Sequence, residues 1–248
     1  MLSIVVMKWD PLPNQLESIP TQVGDTKVDY GAEHVNIHYN MVKRNLNIPF
    51  KYYCITDKQS EWINEEIIQL DLWPWHRDLG GCFHRLFQYS YEFKEDYIDG
   101  RFVSMDLDMI ITGDITPLFD RQEDFVYYRM KGPDGTGWRM NCGMYMLVSG
   151  ARVPYYEAFN KDPKKAMQCR VGPGTDQGWM NFCIQQAGQD EAHWTQCKDG
   201  IYDMRQDIIE KGLTELPDDC KILMWPGPRD PSQPQWKKKY NFIEKYYN

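Results

Sequence analysis

The chain has 248 residues, of which 42% are hydrophobic, 14% aromatic and 26% charged. This composition excludes an intrinsically disordered protein, because 9 Trp, 16 Tyr and 10 Phe supply enough apolar surface for a substantial core. The formal charge of -8, from 28 Lys and Arg against 36 Asp and Glu, argues against a general nucleic-acid binder, since the field of the molecule repels polyanions.

Short apolar runs alternate with helical patterns along the chain, which is typical of an α/β fold with helices on the faces of a sheet. In chain order, the sequence predicts a strand at 2–7, a loop at 9–30, a helix at 32–46, strands at 51–56 and 67–70, a loop at 73–81, a helix at 82–93, strands at 101–105, 109–112, 125–129 and 143–148 with a turn at 132–137, helices at 154–160 and 177–187, and a strand at 222–225. We therefore expect one α/β domain over residues 1–236, followed by a basic aromatic tail at 237–248.

The sequence also predicts a compartment. No stretch approaches the ~18 apolar residues of a membrane span, and the N-terminus carries neither a basic region nor a cleavage site. The 7 cysteines are scattered without a Cys-x-x-Cys pair, so we expect buried, reduced thiols and neither a disulfide framework nor a zinc site. A cytoplasmic protein is the resulting prediction.

One acidic pair is the strongest candidate for chemistry. Asp106 and Asp108 form the only Asp-x-Asp in the sequence, and apolar residues flank them on both sides. Two carboxylates at the end of a buried strand can converge on a hard cation such as Mg²⁺ or Mn²⁺, which in turn can bridge a diphosphate. A solvated turn at the end of the strand is the alternative.

The sequence around this pair resembles the Asp-x-Asp core of glycosyltransferases with the GT-A fold, and the continuation from Gly113 to Phe119 resembles glycosyltransferase family 8 and its bacterial and viral relatives. Further stretches follow in the order of that family: residues 84–86 resemble its Arg-Leu helix, residues 141–147 its Asn-Ser-Gly strand, residues 176–181 its Asp-Gln helix, and residues 225–229 its Gly-x-x-Lys-Pro-Trp loop. The resemblance implies a single Rossmann-like domain with a mixed, mostly parallel central sheet.

For the diphosphate end of a donor, the resemblance implies that Asp108 is the main ligand of Mn²⁺ or Mg²⁺ and that Asp106 contacts both the metal and the sugar or ribose. Gly227 contacts the nucleotide sugar, and Arg229 takes the place of a lysine that neutralises diphosphate, a role that suits its forked guanidinium. The third metal ligand of the family is a histidine, whereas this chain has Met224 at that position. A thioether is a poor ligand for a hard cation.

For the sugar end, the resemblance implies that Lys8, Arg85 and Asn141 contact the nucleotide sugar. Asp176 and Gln177 lie beside the reacting carbon or the acceptor. The implied reaction moves a sugar from a UDP- or GDP-sugar to a glycan or other hydroxyl acceptor with retention of configuration, so that Asp176 orients groups and a diphosphate oxygen accepts the proton. An inverting enzyme would instead need a carboxylate base within about 3 Å of the acceptor hydroxyl.

Several of these residues also have purely structural interpretations. Asn141 can form a turn before a strand, Asp176 can cap a helix, and Arg85 can extend from an amphipathic helix into solvent. His34 and His38 share a helix face, and we interpret them as surface residues instead of metal ligands.

Two other functions remain open. Phosphatases of the haloacid-dehalogenase class also use Asp-x-Asp after an apolar strand, with Asp218 and Asp219 resembling their later acidic pair, but Ile110 occupies a position where they carry Thr or Val. A catalytically silent sugar-binding domain is the third possibility. The lysines and aromatic residues of the tail are suited to weak peripheral contact with the inner face of a membrane, although we favour a solvated helix, because three lysines are fewer than the usual ~4–8.

Overall fold

A computed structural model describes residues 1–10, 30–79, 82–132, 137–168, 175–188, 191–227 and 229–248. The predicted loops at 9–30 and 73–81 and the turn at 132–137 therefore lie partly outside the described residues, as do Cys169 and Pro228. In the described part of the chain, no helix is long and apolar enough to cross a membrane.

The centre of the fold is a sheet of seven strands in the order β3-β2-β1-β4-β7-β6-β8. Its strands are β1 (Leu2–Lys8), β2 (Phe50–Thr56), β3 (Ile67–Asp71), β4 (Arg101–Met105), β6 (Phe125–Lys131), β7 (Trp138–Val148) and β8 (Ala192–Thr195). Only β7 runs against the other six, since it pairs antiparallel with both of its neighbours. The predicted mixed, mostly parallel α/β sheet is confirmed.

A second sheet of three strands extends the fold. It consists of β5 (Met109–Ile111), β10 (Ile222–Met224) and β9 (Ile201–Asp203), in that order. The sequence predicts the first two of these strands but assigns neither to a separate sheet. It misses β9 and β8, because polar residues interrupt these short strands, whereas β5 and β10 are apolar throughout.

Helices cover both faces of the central sheet. They are α1 (Ala32–Asn45), a 3-10 helix (Phe83–Tyr89), α2 (Tyr91–Asp96), α3 (Thr116–Phe119), α4 (Val153–Lys161), α5 (Pro163–Ala166), α6 (Asp176–Ala187), a π-helix (Met204–Ile209), α7 (Pro234–Lys239) and α8 (Asn241–Tyr246). One apolar cluster lies between the sheet, α1, the small sheet and α8, and a second lies between the sheet, the 3-10 helix, α2, α4 and α6. Strands buried on both faces explain the continuous apolar runs in the sequence.

The helix predicted at 82–93 is wrong as a single element. Cys82 has a left-handed backbone with φ of 64°, and a 3-10 helix follows it. Ser90 then interrupts the helix because its extended backbone and its hydroxyl, which accepts a hydrogen bond from the Phe93 N–H, form the N-cap of α2.

The C-terminal segment is not a solvated helix. Phe242, Ile243 and Tyr247 are buried in the first apolar cluster, and the Arg44 guanidinium donates hydrogen bonds to the carbonyl oxygens of Tyr246 and Asn248 at 2.9 and 2.6 Å. The tail is therefore folded against α1 and the small sheet. The domain boundary after residue 236 stays a prediction.

The prediction of surface histidines on α1 is wrong for His38, which is fully buried. Its Nδ1 lies 2.7 Å from the Tyr52 hydroxyl, and burial lowers the pKa of His38 to about 3. His34 is half-buried and contacts the Ser232 hydroxyl at 3.3 Å. The cysteines of the described residues are all free thiols, and Cys54, Cys142, Cys183 and Cys220 are buried.

Candidate active site

The Asp-x-Asp segment links the two sheets. The chain leaves the central sheet at Met105 and enters the small sheet at Met109, so that Asp106, Leu107 and Asp108 form the connection. The Asp106 N–H donates to the Gly143 carbonyl oxygen at 2.9 Å, which extends the β4–β7 pairing by one residue. Because β1, β2, β3 and β4 are parallel, their carboxyl ends meet at this edge, which is where α/β folds bind ligands.

Arg85 joins two of the predicted carboxylates. Its Nε donates to Asp176 Oδ2 at 2.9 Å, its Nη2 forms an ion pair with the same oxygen at 2.8 Å, and its Nη1 donates to Asp106 Oδ1. The side chain of Arg85 is only 12% exposed, and that of Asp176 is 5% exposed. Burial disfavours the charged guanidinium, but Asp106 and Asp176 outweigh that effect and raise the pKa of Arg85 well above its usual value. The prediction that Arg85 extends into solvent is wrong, and its contact with a donor stays a prediction.

Asp176 is the first residue of α6, and Thr175 is the N-cap. The capping role considered for Asp176 is therefore wrong, because its carboxylate is committed to Arg85. Burial raises the pKa of Asp176, while the neighbouring Arg85 opposes that shift. Gln177 is half-buried, and its carbonyl oxygen accepts a hydrogen bond from Asn181 at 2.7 Å. No hydrogen bond is formed by the Gln177 side chain within the part of the chain that the structure describes.

A bulge in β7 brings Asn141 and Gly143 to the same edge. Tyr127 lies opposite Tyr145 and Tyr128 lies opposite Asn141, so the three residues between Asn141 and Tyr145 have no partners on β6. Asn141 Oδ1 accepts the Gly143 N–H at 2.7 Å, which fixes the amide in this bulge. Bulges often redirect side chains beside active sites.

Side chains of the predicted site pack closely around Gly143. A Cβ atom at this position would lie 2.8 Å from Asn141 Oδ1, 2.8 Å from Met224 Cε and 3.1 Å from Asp106 Oδ2. Only glycine fits without displacing these groups. Met224, which stands where the family has a metal-binding histidine, therefore does lie beside Asp106, and its side chain is buried.

Asp230 is a site residue that the sequence analysis missed. It is fully buried, and its Oδ2 accepts the Tyr30 hydroxyl at 2.8 Å. Burial, followed by repulsion from Asp106 and Asp230, raises the pKa of Asp108 well above its usual value, and the charge of Asp108 in turn helps to raise the pKa of Tyr30. Asp230 lies 122 residues beyond Asp108, and no local pattern marks it.

Two of the residues predicted to contact the nucleotide sugar, Lys8 and Arg229, are positively charged. Lys8 is the last residue of β1, next to β4, and it is 8% exposed. Arg229 is half-buried, with Nη1 3.9 Å from the position that a Cβ on Gly227 would occupy, and Gly227 itself has φ of +76°. Among the described residues, neither cation forms an ion pair, so both are available to a phosphate.

The candidate metal ligands are chemically suited to a hard divalent cation. Asp106 and Asp108 offer carboxylate oxygens, and burial, followed by repulsion from Asp106 and Asp230, raises the pKa of Asp108, so a bound cation would stabilise its ionised form. Within the described ranges, no three His, Cys, Asp or Glu side chains are close enough to hold one metal, and Met224 does not add a suitable ligand. Such an ion would therefore take its remaining ligands from the donor and from water.

Comparison with known proteins identifies the fold. No protein-family model and no curated protein matches the chain. The fold is similar to that of the galactosyltransferase LgtC in complex with donor and acceptor sugar analogs, with 11% identity, a TM-score of 0.60 and coverage of 99% of this chain and 96% of that chain. It is also similar to the glycosyltransferase GlyE of Streptococcus pneumoniae TIGR4, with 14% identity, a TM-score of 0.61 and coverage of 99% of this chain and 63% of GlyE.

An active-site mutant of LgtC has a TM-score of 0.57 at 10% identity and covers 99% of this chain. At these identities the similarity shows the fold, which is the GT-A fold that the resemblance implies. The fold does not favour the haloacid-dehalogenase alternative. Asp219 Oδ1 instead accepts the Tyr202 hydroxyl at 2.6 Å.

Proposed function

We propose that the chain is a metal-dependent glycosyltransferase that moves a sugar from a nucleoside-diphosphate sugar to an acceptor hydroxyl. The observation that carries the proposal is the ion network of Arg85, which holds Asp106 and Asp176 together at the carboxyl edge of the sheet. A sugar-binding protein without activity would not need the buried carboxylate of Asp176 beside Asp106 and Asp108, because a buried charge is costly unless a partner compensates it.

The site residues would have different roles according to where they lie along the bound donor. Asp106 and Asp108 would hold Mn²⁺ or Mg²⁺, which supplies electrostatic stabilisation of the diphosphate. Arg229 and Lys8 would bind phosphate oxygens as negative charge develops on the departing group, where fixed charges contribute most to catalysis. Asn141 Oδ1 accepts the Gly143 N–H, and Asn141 Nδ2 donates to Met130 Sδ at 3.1 Å, so one amide hydrogen of Asn141 is left for a hydroxyl of the sugar.

Asp176 would orient groups instead of removing a proton. Its Oδ2 accepts a hydrogen bond from Arg85 Nε at 2.9 Å and lies 2.8 Å from Arg85 Nη2, so the carboxylate is held in an ion pair and partly neutralised. A carboxylate held in this ion pair is not free to take the acceptor proton, which favours the retaining reaction in which a diphosphate oxygen accepts it. Gln177, adjacent to Asp176 and without a hydrogen bond on its side chain in the described structure, would contact the sugar or the acceptor.

The donor nucleotide and the location are proposed from the sequence and its resemblance to a known family. A UDP- or GDP-sugar follows from the resemblance alone. A cytoplasmic location follows from the sequence alone, as does weak contact of the tail with the inner face of a membrane.

Hydrolysis of a panel of UDP-, GDP-, CMP- and dTDP-sugars with and without Mn²⁺ tests the function. We expect one donor to be hydrolysed only with Mn²⁺ and the activity to fall by roughly 10²-fold or more in Asp108→Ala. The matched control is Asp99→Ala, which removes an exposed carboxylate. Hydrolysis that survives Asp108→Ala, or release of phosphate from a generic phosphoester, would contradict the proposal.

A further inference from the structure

The β6–β7 hairpin carries an exposed aromatic ring flanked by two cations. Trp138, the first residue of β7, is 44% exposed. The guanidinium carbon of Arg129 lies 5.1 Å from the centre of its ring, and the Lys131 ammonium lies 5.9 Å from it. We call the surface formed by Arg129, Lys131 and Trp138 the Trp138 surface.

Within the part of the chain that the structure describes, no carboxylate neutralises the two cations of the Trp138 surface. The chain has eight more acidic than basic residues, yet within the described ranges neither Arg129 nor Lys131 forms an ion pair or donates a hydrogen bond from its side chain. The Arg129 Nε–H is buried without an acceptor. Contact with the indole ring stabilises the cations only in part, and the terminal N–H groups of Arg129 and Lys131 remain available to a ligand.

The backbone holds this surface in a fixed place. The Arg129 carbonyl oxygen accepts the Gln196 N–H at 3.0 Å, and the Lys131 N–H donates to Gln196 Oε1 at 2.8 Å. Gln206 adds a further hydrogen bond to the Lys131 carbonyl oxygen at 3.3 Å. The end of β6 is therefore supported by the loop after β8 and by the π-helix.

The Trp138 surface lies on the face of the sheet that carries α6. Side chains alternate along β7, so Trp138 shares a face with Met140. The Asn181 side chain, one turn beyond Asp176 and Gln177 on α6, bonds both the N–H and the carbonyl oxygen of Met140 at 2.8 and 3.0 Å. Trp138 is two residues, or ~7 Å along the strand, from Met140, and Gln177 is one helical turn, ~5 Å, from Asn181 on α6. A saccharide longer than one ring can span these distances.

We propose that the acceptor of this chain is an anionic saccharide, and that the Trp138 surface binds it. A sugar ring packs its C–H face against the indole, while Arg129 and Lys131 bind a carboxylate or phosphate on the same molecule. A nucleic acid is disfavoured, because the net charge of -8 repels a long polyanion but not a short one. This inference rests on the proposed glycosyl transfer and adds the class of the acceptor.

The experiment measures binding without turnover. The intact chain, saturated with Mn²⁺ and UDP or GDP, is titrated with matched oligosaccharides, each neutral parent being compared with the same sugar carrying one carboxylate or one phosphate. NMR records the indole N–H signal of Trp138, assigned through Trp138→Phe. We expect acidic members to bind about 5- to 30-fold more tightly than their parents and to shift this signal, since two exposed ion pairs supply that range.

The double variant Arg129→Gln/Lys131→Gln should lose the preference, and Trp138→Ala should weaken the binding of acidic sugars. The control Lys238→Gln/Lys239→Gln removes two exposed lysines on α7 and should keep the preference. Binding of neutral sugars only, equal binding of both kinds, no binding of any acidic sugar, or an unchanged preference in the double variant overturns the proposal. Donor hydrolysis, measured separately, reports on the glycosyltransferase assignment, so the two ideas fail independently.

Discussion

Replacing Arg85 by glutamine removes the charge that joins Asp106 to Asp176. The loss of this charge costs little at Asp106, whose side chain is 37% exposed and can be hydrated. It costs more at Asp176, whose side chain is 5% exposed and cannot be hydrated. Removal of one partner of a buried ion pair leaves an uncompensated charge and typically costs about 3–5 kcal/mol. We expect Arg85→Gln to lower the free energy of unfolding by that amount at neutral pH.

The loss should depend on pH in a defined direction. Burial already raises the pKa of Asp176, and without Arg85 the pKa rises further. An acid whose pKa is raised by folding destabilises the protein as the pH rises through its folded pKa. The deficit of Arg85→Gln relative to the wild type should therefore increase with pH from the wild-type pKa of Asp176 and level off above that of the variant.

Urea unfolding followed by tryptophan fluorescence measures these free energies. The double variant Arg85→Gln/Asp176→Asn removes the uncompensated carboxylate, so it should recover about 1–3 kcal/mol relative to the sum of the single variants. A loss below about 1 kcal/mol in Arg85→Gln, or additive losses in the double variant, would show that Arg85 does not compensate Asp176.

Three further predictions concern the candidate metal and sugar sites. Asp108→Asn should weaken Mn²⁺ binding at least about tenfold in calorimetry, and wild-type affinity should rise with pH because the raised pKa of Asp108 lets protons compete with the metal; equal affinities would contradict this. Gly143→Ala should reduce donor turnover at least about tenfold, with a stability loss of about 1–3 kcal/mol, because its Cβ would displace Asn141; unchanged turnover would refute the close fit. Met224→His adds an imidazole beside Asp106 and should tighten Mn²⁺ binding, which the same titration would detect; weaker binding would place the ion elsewhere.

Local sequence patterns were sufficient for the central strands. The continuous apolar run from Ile4 to Met7 and the acidic pair after Met105 each depend on a few neighbouring residues, so the strands and the Asp-x-Asp turn could be located before any tertiary contact was known. The order of motifs along the chain also predicted the fold.

Residues far apart in sequence decided the rest of the site. Arg85 reaches Asp176 across 91 positions, and Tyr30 reaches Asp230 across 200. An arginine on a helical pattern has the same local sequence whether it points to solvent or into an ion network, and a lone aspartate after a proline-rich loop has no pattern at all. The break between the 3-10 helix and α2 was also not predicted, because it depends on one serine whose side chain caps α2.

The sequence by itself therefore determined most of the strands and which carboxylates lie at the end of β4, because burial imposes a pattern that neighbouring residues display. Tertiary structure alone decided which charges meet there, that His38 and the tail are buried, and that no carboxylate of the described residues pairs with the cations of the Trp138 surface. Charge compensation and desolvation depend on distance in space, and the chain brings those groups together only when it folds.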